Sequence, residues 1–403
     1  MTRAPRSAVA DFATDFDHTD AAWVGDPFPI WDDLRARCPV AHSDRYGGVW
    51  LPTRHADVSA IAYDTDHFSS RGVVVAEVKP QAEAPVGGAP PITSDPPFHA
   101  FARRLLLPAF APRPIQALEP VTRQLCRDLL DRIGDADACD AAVDYAQDIP
   151  PAVIARMLGL PPEDDDLFRG FIHDVLESIT DDEEAVMGKE EGLDSYLDRH
   201  IADHVEHPRD DLISYLLDVE IEGTRLSPEH VRGTVLLLLI AGIDTTWSAI
   251  GAALWHLASH ADDRRRLAAE PELMGQAVEE LLRAYAPVTM ARIVAEDTEL
   301  GGRRMSAGDW VLLPFPAANR DPEVFEDADR VVLDRAVNRH AAFGLGIHRC
   351  LGSNLARMEL TVALEEWMAR VPDFELADPE GVTWSAGQVR GPRRLPLRIL
   401  ARA

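Results

Sequence analysis

The run from His340 to Arg357, HAAFGLGIHRCLGSNLAR, limits what this chain can become more than any other stretch. It reads as neither a clean strand nor a clean helix. Gly344, Gly346 and Gly352 supply backbone freedom, including positive φ, so the chain can turn tightly around Cys350. Beyond the cysteine, Leu351, Leu355, Met358 and Val362 recur at helical spacing, which puts Cys350 at a helix N-terminus. The positive end of a helix and its free N–H groups stabilise a thiolate there, and a thiolate wants an electrophile or a metal. The plain alternative is a buried structural thiol, since free Cys is among the most buried residue types. Zinc is disfavoured: a closed site wants four ligands, and His340 and His348 have no second cysteine within 200 residues. A nucleophile wants a positioned base, and His348 lies only two residues away. A thiolate serving as axial ligand of haem iron needs no second protein ligand, because the porphyrin fills the equatorial plane.

The rest of the chain reads mainly as helix. Segments near 113–133, 150–158, 193–205, 228–260, 262–285 and 351–370 carry apolar residues three and four apart. Strand-like runs are few: Gly48 to Thr53, the interrupted run from Met290 to Phe315, and the tail from Val382 to Leu400. The expected class is mainly α with small β-sheets. Length alone allows two or three domains, but no repeat or low-complexity linker appears, and Lys79 to Pro97 is a long loop rather than a joint. The longest apolar run, Val235 to Ile243, has nine residues, against about twenty for a membrane span. The expectation is a soluble cytoplasmic protein with no membrane contact. Cys38, Cys126 and Cys139 show no paired spacing and read as ordinary thiols. A formal charge of -28 opposes binding to nucleic acid, which leaves a small molecule or a protein as partner.

The spacing Phe343, Gly344, Gly346, His348, Cys350, Gly352, Leu355, Ala356, Arg357 resembles the haem-binding signature of bacterial cytochromes P-450. Other segments match in order. AGIDTT, Ala241 to Thr246, is similar to the family's oxygen-binding segment; Glu280 to Arg283 resembles its Glu-x-x-Arg helix, with Arg335 as third member; DPPFHAFAR, Asp95 to Arg103, resembles its propionate-binding stretch. One position departs from the pattern, because Val332 stands where the family usually has Asp. The Glu-x-x-Arg pattern occurs four times in this chain, and only its order and distance to Cys350 select Glu280 and Arg283.

The resemblance implies one haem domain over 1–403 with the cytochrome P-450 fold, its haem b (iron protoporphyrin IX) between the oxygen-binding helix and the Cys-ligand helix. It implies Cys350 as proximal thiolate with Phe343 near its sulfur and Gly344 in the turn, propionates held by His99, Arg103, Arg292 and His348, and O2 as co-substrate beside Ala241. Asp244 and Thr245 stand out on their own, because a charge and a β-branched hydroxyl are costly inside an apolar helix. A Thr bonded back to the carbonyl of Ala241 would merely bend the helix; the family reading makes the pair a proton relay. Residues facing substrate are expected at Val73, Val74, Leu237, Ile240, Ala241, Val288, Met290 and Val389, an aliphatic set suited to an apolar small molecule. Residues 163–205 would form lid helices.

The activity implied is monooxygenation, as hydroxylation or O-dealkylation, with electrons from NAD(P)H through a ferredoxin reductase and a ferredoxin. Arg335, Arg339, Arg349 and Arg357 lie in a stretch, 335–358, without Asp or Glu. Such a basic island suits an acidic ferredoxin. A peroxide-driven haem-thiolate enzyme and a non-enzymatic haem sensor or recruitment protein are the alternatives.

Overall fold

The computed structural model describes residues 7–76, 89–161, 183–221 and 223–402, together with 164, 167 and 170. Residues 77–88, the middle of the loop from Val73 to Pro91 expected to face substrate, and most of the first half of the expected lid lie outside the described residues.

The organising element is the helix Pro228–Ser259. Ser227 caps it by accepting from the His230 N–H at 3.2 Å, and Pro228 occupies the first turn, where no N–H is needed. It is apolar and long enough to cross a membrane, but two thirds of its most apolar window is buried inside the protein, as in a core helix. Val235, Leu239, Ile243, Ile250, Leu254 and Leu257 on this helix are fully covered and share one cluster with Leu360, Leu364 and Trp367 of the helix Ser353–Arg370. Each such side chain contributes about 1.5–3 kcal/mol on leaving water.

Beside this helical layer lies a five-stranded sheet in the order Val40–Ser43, Val49–Pro52, Trp310–Pro314, Thr289–Val294, Phe68–Ser69. Alternation along Thr289–Val294 sorts its side chains. Ala291 and Ile293 enter one cluster with Trp31 and Trp310. Met290 and Val294 enter a second with Val311, Leu313, Phe315 and Ala341, and Arg292, opposite Val311 in the register, shares that second face.

Several boundaries differ from the sequence reading. The 113–133 segment breaks into Pro112–Gln116 and Glu119–Ile133. The 262–285 segment breaks into Ala261–Ala269 and Met274–Ala284 around Pro271. Phe28–Arg37, His55–Tyr63 and Phe98–Leu106 are helices as well, the last directly after Pro96 and Pro97. The Cys-ligand helix starts at Ser353 with Gly352 as its cap, so Cys350 precedes it rather than heading it.

Candidate active site

Cys350 sits at the end of a tight loop. Its N–H donates to the Phe343 carbonyl at 2.6 Å, and a short 3-10 turn, Gly346–His348, lies between them. Gly346 has φ +67, and a Cβ there would stand 2.1 Å from the Ala62 carbonyl oxygen, so no other residue fits without moving the helix His55–Tyr63. The Cys350 side chain is accessible, yet so much protein surrounds it that burial raises its thiol pKa. The two facts agree when the sulfur lines an internal opening. The Gly352 N–H and the guanidiniums of Arg103, Arg349 and Arg357 work against burial but do not overcome it. Cys350 lies two residues before the Gly352 cap, whose N–H still lowers the thiol, so the expected help from the helix end is present but smaller than the effect of burial.

Next to the loop is a basic cradle. Buried His99, from Phe98–Leu106, leaves Nε2 without a hydrogen-bond partner, and its ring lies 4.2 Å from that of His348. Burial, helped by Arg103, pushes His99 down to about 4. Burial likewise takes His348 to about 2, and the Ser70 hydroxyl sits 2.9 Å from its Nε2. Arg292 is buried and, among the described residues, bonds only its own strand, Nη1 donating to the Ala291 carbonyl at 2.7 Å; burial lowers it to about 10 and Asp95 opposes that shift. Arg103 donates to the Arg349 carbonyl at 2.5 Å. The structure brings all four expected residues together.

A second charged assembly fastens the loop from below. Glu280 accepts from Arg283 Nε and Nη2, both at 2.8 Å, from Arg335 Nε at 2.9 Å and from Asn338 Nδ2 at 3.1 Å. The departure at Val332 costs nothing here, because its backbone N–H supplies a further donor to Glu280 at 2.8 Å. Glu279, one residue earlier, takes Arg357 at 2.5 and 2.8 Å and His340 at 3.2 Å. Arg357 also covers the Phe343 ring at 4.3 Å. Of the basic island, Arg335 and Arg357 are thus spent internally, while Arg339 and Arg349 are exposed.

On the long helix, Leu237, Ile240, Ala241, Gly242 and Thr245 are accessible although their neighbours Leu238, Leu239, Ile243 and Asp244 are buried. An accessible stripe in the middle of a core helix marks the wall of an internal opening. The Thr245 hydroxyl donates to the Ala241 carbonyl at 2.7 Å. Asp244 accepts from Arg393 Nη2 at 2.5 Å.

Comparison with known proteins follows the same lines. The family model described as Cytochrome P450 matches residues 165–381. Vitamin D(3) 25-hydroxylase of Pseudonocardia autotrophica is 37% identical over 93% of this chain and 94% of its own. Nocardicin C N-oxygenase of Nocardia uniformis subsp. tsuyamanensis is 36% identical over 90% and 92%. The structure of CYP109E1 from Bacillus megaterium in complex with testosterone superposes with TM-score 0.85 at 32% identity, covering 93% of this chain and 98% of that one. The chain belongs to the cytochrome P450 family.

P450 enzymes are monooxygenases that use haem b and O2, and bacterial ones take electrons from redox partners. The residues of this P450 fit that cofactor. An accessible cysteine and, among the described residues, an orphaned imidazole nitrogen and two guanidiniums with no carboxylate bonded to them are the donor set that an iron porphyrin with two carboxylates calls for.

The expected substrate residues divide. Val73, Val288 and Val389 are half-buried and adjoin: the Val73 carbonyl accepts from the Ala291 N–H at 3.0 Å and from Gln388 Nε2 at 3.4 Å, and Val288 bridges Val389. Val74 is exposed. Met290 packs against the cluster of Leu313 and Phe315, beneath Arg292, rather than standing clear of the core. The sequence reading missed Arg393, Glu279 and Ser70. A carboxylate buried in an apolar helix demands a cation, so Asp244 was itself the signal for Arg393, but RGPRR offers Arg390, Arg393 and Arg394 without ranking them.

Proposed function

We propose that this P450 hydroxylates or O-dealkylates an apolar small molecule, with residues 1–403 as one haem domain in the cytoplasm and electrons passing from NAD(P)H through a ferredoxin reductase and a ferredoxin. The observation that carries the site assignment is the cluster of His99, Arg103 and Arg292 beside accessible Cys350. Haem b, when bound, would supply oxygen activation tuned by a thiolate ligand.

The chain's own residues do the rest. Cys350 would present Sγ to the iron from a loop fixed by Phe343 and Gly346. His99 Nε2 and the guanidiniums of Arg103 and Arg292 would hold the propionates, and His348 would contribute Nδ1, its Nε2 being engaged by Ser70. Leu237, Ile240, Val73, Val288 and Val389 exclude water and offer aliphatic contact, while Ala241 and Gly242 leave room for a diatomic ligand. Thr245 holds its hydroxyl proton on the Ala241 carbonyl and would be the group to donate it into the opening; Asp244, braced by Arg393, stands one residue before it and would be the next proton carrier. A peroxide-driven enzyme has no use for that pair, which favours the O2-dependent reading. The vitamin D(3) 25-hydroxylase and the testosterone-bound CYP109E1 among the relatives are in keeping with an apolar substrate.

The test is spectroscopic. The reduced carbon monoxide complex should show the red-shifted Soret band of thiolate ligation, and Cys350→Ser should lose it. An imidazole-type band in the wild type would overturn the assignment.

A further inference from the structure

An acid stands in the cradle that must hold an anionic cofactor. Asp95, half-buried two residues before the N-cap Pro97 of Phe98–Leu106, is close enough to His99 and Arg292 to act on both. As a charge alone it is misplaced, since it repels the carboxylates that the cations attract. Its hydrogen bonds give it another purpose. Oδ2 accepts from the Ser69 hydroxyl at 2.5 Å and Oδ1 from the Ser70 N–H at 2.8 Å. Ser69 Oγ in turn accepts from Arg71 Nε at 3.1 Å and the Arg71 N–H at 3.2 Å. The corner is therefore fully specified, and it aims the Ser70 hydroxyl at His348 Nε2, 2.9 Å away. His348 closes the 3-10 turn two residues before Cys350. Three residues beyond Ser70, the Val73 carbonyl is pinned to strand Thr289–Val294, where the 73–91 loop begins.

We infer that Asp95 is a positioning residue that, through Ser70 and His348, ties the root of the substrate loop to the turn carrying Cys350. The inference rests on the reading of Cys350 as iron ligand and of the neighbouring cations as the cofactor's anchors. It makes cofactor retention depend on an acid whose charge opposes it.

The two roles have opposite signs, which makes the experiment decisive. Haem loss from the purified holoenzyme is followed by transfer to apomyoglobin. Asp95→Asn removes the charge and leaves one acceptor oxygen for two donors. Positioning requires haem loss to accelerate by about tenfold, the scale of one charge-assisted hydrogen bond; a purely electrostatic Asp95 gives slower loss, which overturns the proposal. Ser70→Ala should match Asp95→Asn, and adding Asp95→Asn to Ser70→Ala should change nothing further, because both cut one chain. Ser70→Thr, which keeps the hydroxyl, should hold haem like the wild type. Multiplying effects in the double variant, or a Ser70→Ala protein that keeps haem normally, would sink the idea. The Ser70 pair also serves if Asp95→Asn does not accumulate. The wild-type carbon monoxide band checks the Cys350 reading separately, so the two can fail independently.

Discussion

Glu279 and Glu280 are consecutive residues of one helix, each bonded to an arginine and a second basic residue, and they should differ sharply when neutralised. Glu280 and Arg283 are both 0% exposed. Glu280→Gln leaves the Arg283 guanidinium buried without a counter-charge, with at most one amide oxygen beside the carbonyls of Asn319, Ala328 and Arg330 as acceptors, and Arg335 loses its carboxylate too. Breaking a buried pair from one side costs about 3–5 kcal/mol, a large share of the roughly 5–15 kcal/mol that holds a folded protein together. The side chains of Glu279 and Arg357 are each 31% exposed, so water and salt compensate much of the loss, and Glu279→Gln should cost about 1 kcal/mol. Urea unfolding of the holoenzymes, followed by circular dichroism and by the Soret band, gives both numbers from midpoint shifts at unchanged slope. If Glu280→Gln stays within about 1 kcal/mol of wild type, or costs no more than Glu279→Gln, burial does not set the value of these pairs and the reasoning is wrong.

Four further outcomes are expected. Burial alone would raise the Glu279 carboxyl, but Arg357 and His340 bring it down from 4.5 to about 2; a depressed acid stabilises fully above its unfolded value, so its contribution should be complete above about pH 4.5 and vanish as pH falls through 2, and acid unfolding of Glu279→Gln should lack this component. Gly346→Ala puts a Cβ into the Ala62 carbonyl and should yield protein that binds haem weakly, read as the ratio of Soret to protein absorbance. Thr245→Ala should still bind substrate and consume NAD(P)H while releasing peroxide in place of product; coupling equal to wild type would remove Thr245 from proton delivery. Ferredoxin-supported reduction should slow as salt rises, and exposed Arg349 replaced by Glu should slow it further with substrate affinity unchanged; indifference to both would move the docking face elsewhere.

What the sequence made legible was whatever is carried by local spacing. The glycines around Cys350 and the polar interruption at Asp244 and Thr245 each break a pattern and so announce themselves, whereas Glu280, Arg283 and Arg335 are legible only through their order and distance to Cys350. Partners supplied from remote segments did not. Arg393 reaches Asp244 from a C-terminal strand, Ser70 reaches His348 from a two-residue strand end, and Glu279 neutralises Arg357 from a helix where it looks like any surface acid. Phe98–Leu106 escaped notice because the Pro-rich run before it reads as loop, although a proline at a helix start is favourable. The start of the Cys-ligand helix was misplaced because apolar spacing continues through Leu351, while the backbone turns at Gly352.

The hydrogen bonds that close the cradle join residues far apart in the order of synthesis: Ser70 with His348 across 278 positions, Arg103 with Arg349 across 246, Asp244 with Arg393 across 149. A ribosome adds about 5–20 residues per second, so His348 follows Ser70 by a time on the order of ten seconds to a minute. Asp244, once added, waits a further 149 residues for its guanidinium. If Cys350 is the iron ligand, a fragment released before residue 350 should not retain the cofactor however well its helices form, and translation pauses after the long helix should be tolerated only where something shields its apolar stripe.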